Sequence, residues 1–116
     1  MPSPSRSVLI VDPSAENREV LRTALERRGL RIFEADQADQ GLQMAREHHP
    51  HVIVLDLESD EPHASDVEDQ YGAEARELHT SLVILGKACR RQRLDAARHV
   101  AKPYHFAPLV HTIEQL

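Results

Sequence analysis

The feature that most constrains the fold is an apolar run, residues 52–55 (Val-Ile-Val-Leu), which follows a proline turn and ends at Asp56. Consecutive apolar residues rich in β-branched side chains are typical of a strand buried on both faces, as in a parallel sheet. A second run, residues 8–11, has the same form and ends at Asp12. Because the carboxyl ends of parallel strands meet at one edge, where open α/β sheets place their chemistry, the two aspartates are predicted to lie side by side.

Strands and helices are predicted to alternate along the chain. Ser14 is the predicted N-cap of the first helix, Gly29 follows its end, and a capping box beginning at Ser65 is predicted to start the third. Strands are predicted at residues 8–11, 30–35, 52–56, 81–85 and about 99–101, and helices at about 15–28, 38–48, 65–78, 89–98 and from about 106 to the end. This alternation predicts an α/β fold, with five parallel strands and helices on both faces.

Helical spacing also predicts which side chains are buried. The apolar residues of the first helix that fall on one face are Val20, Leu21, Ala24 and Leu25. The corresponding face of the last helix consists of Phe106, Leu109, Val110 and Ile113. Apolar residues at this spacing form the stripe that an amphipathic helix packs against a sheet.

Composition indicates one domain with an aliphatic core. The chain has 116 residues, 41% hydrophobic and only 3% aromatic, and a formal net charge of −5, which argues against general affinity for nucleic acid or acidic membranes. Residues 1–6 lack an apolar segment and are predicted to be a short disordered leader, with the domain over residues 7–116. The single cysteine, Cys89, fits a reducing, cytoplasmic setting.

In their order, the motifs resemble those of a receiver domain, the phosphoacceptor module of two-component response regulators. The resemblance rests on residues 9–12 (Leu-Ile-Val-Asp), 53–56 (Ile-Val-Leu-Asp), 83–85 (Val-Ile-Leu) and 102–103 (Lys-Pro). It implies a flavodoxin-like three-layer fold with the five strands in the order 2-1-3-4-5 and five helices. It also implies a protein partner, either a histidine kinase or an effector domain.

The resemblance assigns roles to individual residues. Asp56 matches the phosphoacceptor, Asp12 the first member of an acidic pair that binds Mg²⁺, and Lys102 the lysine that pairs with the acyl phosphate. The second acidic position is Pro13, which has no side-chain oxygen. Because this carboxylate is missing, a Mg²⁺ site is expected to be weakened or lost. Glu58 could supply a substitute oxygen.

The switch positions depart from the family as well. Gly86 stands where the family has a hydroxyl residue, Lys87 where it has a small one, and His99 where it has an aromatic one. We expect a receiver fold with degenerate phosphorylation machinery, acting as a regulatory interaction module. The alternative is an active phosphoacceptor that takes phosphate from a histidine kinase with Mg²⁺; no other enzymatic activity is predicted. A further hypothesis is that Lys87, with Lys102, replaces the charge of the metal ion.

Charge is distributed unevenly along the chain. Residues 56–78 contain nine acids and one base, and residues 87–102 contain six bases and one acid. This polarity favours electrostatic docking of a partner or head-to-tail self-association. The resemblance also implies a dimer surface made by the fourth helix, fifth strand and fifth helix, which would carry Arg90, Arg91, Arg93 and Arg98.

A metal or redox sensor is a remote alternative. It would use the cluster His48, His49 and His51, or the thiol of Cys89. Pro50 interrupts the helix within the cluster, so we expect the rings to diverge rather than to share a metal.

Overall fold

The computed structural model describes residues 6–56, 64–85, 97–100 and 106–116, and their side chains except at 64–65, 97–100 and 106. Strands and helices alternate, as the sequence predicts. They are β1 Ser7–Val11, α1 Ala15–Glu26, β2 Arg31–Ala35, α2 Ala38–His48, β3 Val52–Asp56, α3 Ala64–Leu78, β4 Ser81–Leu85, β5 Ala97–Val100 and α4 Phe106–Gln115.

The five strands form one parallel sheet in the order β2-β1-β3-β4-β5, which confirms the predicted flavodoxin-like topology. Val8 pairs with Val52 in β3, Val52 with Ser81 in β4, and Leu82 with Ala97 in β5. Successive side chains of β1, β3 and β4 alternate between two buried clusters, one on each face of the sheet. One cluster contains Leu21, Leu25, Leu109 and Ile113 of α1 and α4, and the other contains Leu42, Ala45, Tyr71 and Ala75 of α2 and α3.

Three of the predicted details are wrong. Val20 was placed on the buried face of α1, but it is 48% exposed because only Leu21 and Leu25, at i, i+4 spacing, point fully into the core. Helix α3 begins at Ala64, so Ser65 lies within the helix and not at its N-cap. The helix predicted at 89–98 falls mostly on residues 86–96, outside the described part, and its last two residues, Ala97 and Arg98, belong instead to β5.

The ends of the helices show how the sequence directs the turns. The Ser14 hydroxyl accepts a hydrogen bond from Asn17 N at 3.3 Å, as expected of an N-cap. Gly29 follows α1 with φ +83°, the left-handed conformation that glycine adopts without steric cost. Two histidines adopt the same conformation after α2 and α3, His49 with φ 48° and His79 with φ 55°.

Helices α2 and α3 approach each other at Gly41. The buried Tyr71 of α3 donates its hydroxyl to the Ala38 carbonyl at 2.6 Å. A Cβ at Gly41 would overlap the Tyr71 hydroxyl and lie 2.7 Å from Val11 Cγ2. Burial, with a smaller contribution from Asp39, raises the pKa of Tyr71 and keeps its hydroxyl protonated as a donor.

Candidate functional site

The two aspartates predicted to converge lie at the same edge of the sheet. Asp56 ends β3, and Asp12 follows Val11, whose register partner in β3 is Leu55. The Asp12 position is therefore beside Asp56, at the spacing of about 4.8 Å that separates neighbouring strands. Asp12 is 4% exposed and Asp56 3%, so both carboxylates are set into the edge rather than lying on the surface.

The Asp12 loop is held by hydrogen bonds from three sides. One carboxylate oxygen, Oδ1, accepts the backbone N–H of Ser14 at 2.8 Å. The Asp12 N–H donates to the Ala35 carbonyl at 3.0 Å, and its own carbonyl accepts a short hydrogen bond from the Arg18 guanidinium. Asp12 is thus part of the structure that joins β1 to α1, in addition to being a candidate ligand.

Arg18 connects this loop to the edge strand β2. Its Nε lies 3.4 Å from Glu34 Oε1, and Arg22 Nη1 donates to Glu34 Oε2 at 2.7 Å. The contact with Glu34 raises the pKa of Arg22. Beside these groups is a hollow of about 430 Å³, lined by Arg18, Arg22, Glu34, Ala35, Asp36 and Gln40.

Arg18 was not predicted from the sequence to be part of this site. Its only local signal is its position four residues after the N-cap Ser14, one turn into α1. From there a long side chain can reach back to the preceding loop, but the acceptor carbonyl and the Glu34 carboxylate are fixed only by the fold.

Pro13 lies in the exposed bend between Asp12 and Ser14. Its side chain offers no donor atom for a metal ion, so Asp12 and Asp56 are the two buried carboxylates that the described part of this edge offers to one. Mg²⁺ is usually held by one or two carboxylates together with several waters. The residues present therefore fit a magnesium ion, with one fewer charged ligand than an edge that has a carboxylate at position 13.

The other predicted site residues lie outside the described part of the chain or, in the case of His99, in the short strand β5. Glu58, Gly86, Lys87 and Lys102 lie outside the described residues, as does Cys89. His99 lies in β5, where it pairs in register with Ile84. Leu85 pairs with both Asp56 and Val100, so β4 and β5 end at the same edge as the aspartates.

The clustered histidines do diverge. The His48 ring stacks on Phe33 at 4.3 Å, and His51 Nδ1 accepts the backbone N–H of Ser7 at 3.1 Å. His49 lies in the left-handed turn after α2. Among the residues that the structure describes, no three His, Cys, Asp or Glu side chains converge as a metal site, and no helix is both long and apolar enough to cross a membrane.

Comparison with known proteins gives this edge its context. Residues 8–61 match the family described as the response regulator receiver domain. The match and the fold together support a receiver domain of a response regulator, a module of two-component signalling.

Particular relatives extend the comparison. Over 51 residues the chain is 47% identical to the KDP operon transcriptional regulatory protein KdpE of Escherichia coli (strain K12), an alignment covering 44% of this chain and 23% of that protein. This chain therefore spans about a quarter of that longer relative. It is 23% identical to the polar-differentiation response regulator DivK of Brucella ovis, over 95% of this chain and 94% of DivK.

Solved structures show the same fold at low sequence identity. The Vibrio cholerae chemotaxis protein CheY4 has a TM-score of 0.78 and 18% identity, covering 97% of this chain and 98% of CheY4. The signal receiver domain of a Luxo repressor protein from Vibrio parahaemolyticus has a TM-score of 0.80 and 20% identity, covering 97% of this chain and 89% of that one.

Proposed function

We propose that this receiver domain is a regulatory interaction module in which the phosphoacceptor edge is retained but works weakly. The observation that carries the proposal is the Asp12–Ser14 loop. Asp12 is buried and bonded to Ser14 and Arg18, and the adjacent position, Pro13, supplies no carboxylate. An aspartate, Asp56, occupies the acceptor position, but the loop beside it has one carboxylate fewer with which to bind a divalent cation.

The physical reason concerns charge. When bound, a divalent cation neutralises the charge that gathers on a transferring phosphoryl group. Its affinity depends on the carboxylates around it, and here Asp12 and Asp56 would hold it, with Glu58 as a possible further oxygen ligand. Asp56 would be the nucleophile, and Lys102 would pair with the acyl phosphate. An edge with one fewer carboxylate binds the cation less tightly, so phosphorylation should need more Mg²⁺.

Signalling by this domain would depend on a protein partner, a histidine kinase or an effector domain. If phosphorylation is weak, the bound partner and the fixed charges of the chain would determine which of two surface conformations the domain adopts. Lys87, together with Lys102, is proposed to supply fixed positive charge near Asp56, and Gly86 and His99 replace the hydroxyl and aromatic groups of the usual switch. The surface that includes Arg90 and Arg98 is the proposed site of self-association.

Phosphorylation tests the proposal directly. The protein is incubated with acetyl phosphate and Mg²⁺, and the acyl phosphate is detected as a mass increase of the intact chain. We expect a small modified fraction that grows with Mg²⁺ concentration and is abolished in Asp56→Asn. Near-complete modification at low Mg²⁺ would overturn the proposal. Beryllofluoride, which mimics the phosphoryl group, is expected to give an equally weak response in amide NMR spectra.

The second candidate is an active phosphoacceptor that takes phosphate from a histidine kinase. One observation favours it: Asp56 lies at the carboxyl end of the central strand β3, buried beside Asp12. Rapid transfer from a phosphorylated kinase to Asp56, lost in Asp56→Asn, is the result that would select this candidate.

A further inference from the structure

Arg18 joins the loop of a candidate metal ligand to a different strand of the sheet. Its guanidinium donates a short hydrogen bond to the Asp12 carbonyl, and its Nε lies 3.4 Å from Glu34 Oε1. The Arg18 side chain is only 17% exposed. A guanidinium that is buried to this extent is found almost only where it is paired and hydrogen-bonded. Arg18 is therefore held in one place by two partners, and it holds them in turn.

The bond from Arg18 falls on a peptide group with a single hydrogen-bonding atom. Pro13 has no N–H, so the peptide that joins it to Asp12 can be held by a hydrogen bond only through the Asp12 carbonyl. The preceding peptide is held separately, because the Asp12 N–H donates to the Ala35 carbonyl of β2 at 3.0 Å. Arg18 thus holds the peptide that follows Asp12, as the sheet holds the peptide that precedes it.

Fixing both peptides fixes the direction in which the Asp12 side chain leaves the backbone. Its Oδ1 accepts the Ser14 N–H at 2.8 Å, which restricts rotation of the carboxylate. Asp12 is 4% exposed and lies beside Asp56, the other carboxylate that would hold Mg²⁺. Groups that orient a metal ligand without touching the metal typically change the metal affinity by roughly 10- to 100-fold.

Glu34 holds Arg18 in its turn. Its Oε1 faces Arg18, and its Oε2 accepts a hydrogen bond from Arg22 Nη1 at 2.7 Å, so both oxygens of the carboxylate are engaged. Glu34 belongs to the edge strand β2 and pairs in register with Ile10 of β1. The place of the Arg18 guanidinium therefore depends on the sheet as well as on α1.

Charge and orientation have opposite effects on a cation at this site. The positive charge of Arg18 is close to Asp12, and by Coulomb's law it repels a divalent cation bound there. If charge were the main effect of Arg18, removing it would tighten Mg²⁺ binding. If orientation of Asp12 is the main effect, removing it weakens binding. The sign of the change in affinity therefore separates the two roles.

We propose that Arg18 is a positioning residue for the metal site: held by Glu34, it orients Asp12 for binding Mg²⁺ and acts through Asp12 rather than by touching the ion. This inference rests on the proposed function, which assigns Mg²⁺ to Asp12 and Asp56. It adds a means of regulation, because the metal affinity then depends on Glu34, which lies outside the metal site and lines the hollow beside β2.

Magnesium titration of the parent chain and of Arg18→Gln, followed by amide NMR, tests the proposal. We expect Arg18→Gln to bind Mg²⁺ about 10-fold more weakly. Hydrogen exchange of the Ser14 amide, which donates to Asp12, should accelerate in this variant, whereas exchange of the β3 and β4 amides should not. An affinity that is unchanged or tighter than the parent's would overturn the proposal.

Two control variants separate positioning from general effects. Arg28→Gln makes the same change in net charge, but Arg28 follows α1 and pairs with Glu114, roughly 15 Å from Arg18 along the helix axis. Thr23→Gly weakens α1 at an exposed position. Both variants should bind Mg²⁺ within about twofold of the parent, since neither touches Asp12. A loss as large as that of Arg18→Gln in either control would contradict a positioning role.

A double-mutant cycle tests whether Glu34 acts through Arg18. Glu34→Gln should weaken Mg²⁺ binding about threefold in the parent and have no further effect in Arg18→Gln. An equal loss in both backgrounds would show that Glu34 acts by its own charge. Glu34→Gln also serves as the test if Arg18→Gln does not fold, because it leaves the bond to Asp12 in place; an unchanged affinity would then overturn the proposal.

The measured quantity is a ratio of two affinities, which distinguishes this proposal from the proposed function. A parent chain that binds Mg²⁺ tightly, with a 10-fold loss in Arg18→Gln, would contradict a weakened site and support the role of Arg18. A weakly binding parent whose affinity is unchanged in Arg18→Gln would do the reverse. Where the parent binds too weakly to titrate, the same ratio is measured in the Pro13→Asp background.

Discussion

The two edges of this sheet hold their polar groups in opposite ways. At the carboxyl edge, where the strands end, Asp12 and Asp56 are 4% and 3% exposed, and hydrogen bonds fix the Asp12 loop. At the opposite, amino edge, where the strands begin and the helices end, His49 and His79 are exposed and lie in strained, left-handed turns. The first edge is specified by burial and hydrogen bonding, whereas the second is exposed and contains strained turns. Substitutions should therefore lower stability near the first edge and raise it at the strained turns of the second.

The largest effect on stability is expected close to the carboxyl edge, at Gly41. In Gly41→Ala the added Cβ meets the Tyr71 hydroxyl and Val11 Cγ2, so α2 must move off the sheet. Overpacking of this kind should reduce the free energy of unfolding by about 3 kcal/mol, measured by urea denaturation. Tyr71→Phe in the same background should recover part of the loss, because it removes one of the overlapping atoms. A loss below about 1 kcal/mol would show that the helices can separate easily.

A smaller loss is expected where Arg18 supports the Asp12 loop. Arg18→Gln removes a charge-assisted hydrogen bond to the Asp12 carbonyl and should reduce the free energy of unfolding by about 1.5 kcal/mol. Arg22→Gln is the matched control, since Arg22 bonds the same Glu34 but is more exposed and should cost about 0.5 kcal/mol or less. Equal losses would mean that the ion pairs with Glu34 matter more than the bond to Asp12.

At the amino edge, substitution should stabilise the protein. His49→Gly and His79→Gly each relieve a left-handed residue and should raise the free energy of unfolding by about 1 kcal/mol at neutral pH. His111→Gly, within α4, is the control and should lower the free energy by a few tenths of a kcal/mol. Destabilisation by either of the first two changes would mean that the histidine rings make contacts worth more than the strain.

The sequence predicts the parts of this molecule that local patterns determine. Residues 52–55 are apolar on both faces, so the central strand could be identified, and Gly29 marked the end of α1. His49 and His79 were not predicted to be left-handed, because only the packing of each helix end against the next strand imposes that turn.

The site was predictable to the same extent. Asp12 and Asp56 follow recognisable strands, and parallel pairing brings them together. The role of Arg18 was not predictable, because its bond to Asp12 depends on how α1 packs beside β2. Val20 was wrongly placed in the core, since its position on α1 borders the buried stripe formed by Leu21 and Leu25.

The most direct test of the central claim is the Mg²⁺ affinity of the parent protein and of Pro13→Asp, followed by amide NMR. Pro13→Asp restores a carboxylate beside Asp12 and should bind Mg²⁺ at least about 10-fold more tightly, a gain of about 1.4 kcal/mol. Pro13→Ala should bind like the parent, and Asp56→Asn should weaken binding in either background. A parent protein that binds Mg²⁺ as tightly as Pro13→Asp would contradict the claim that this edge is a weakened phosphoacceptor site.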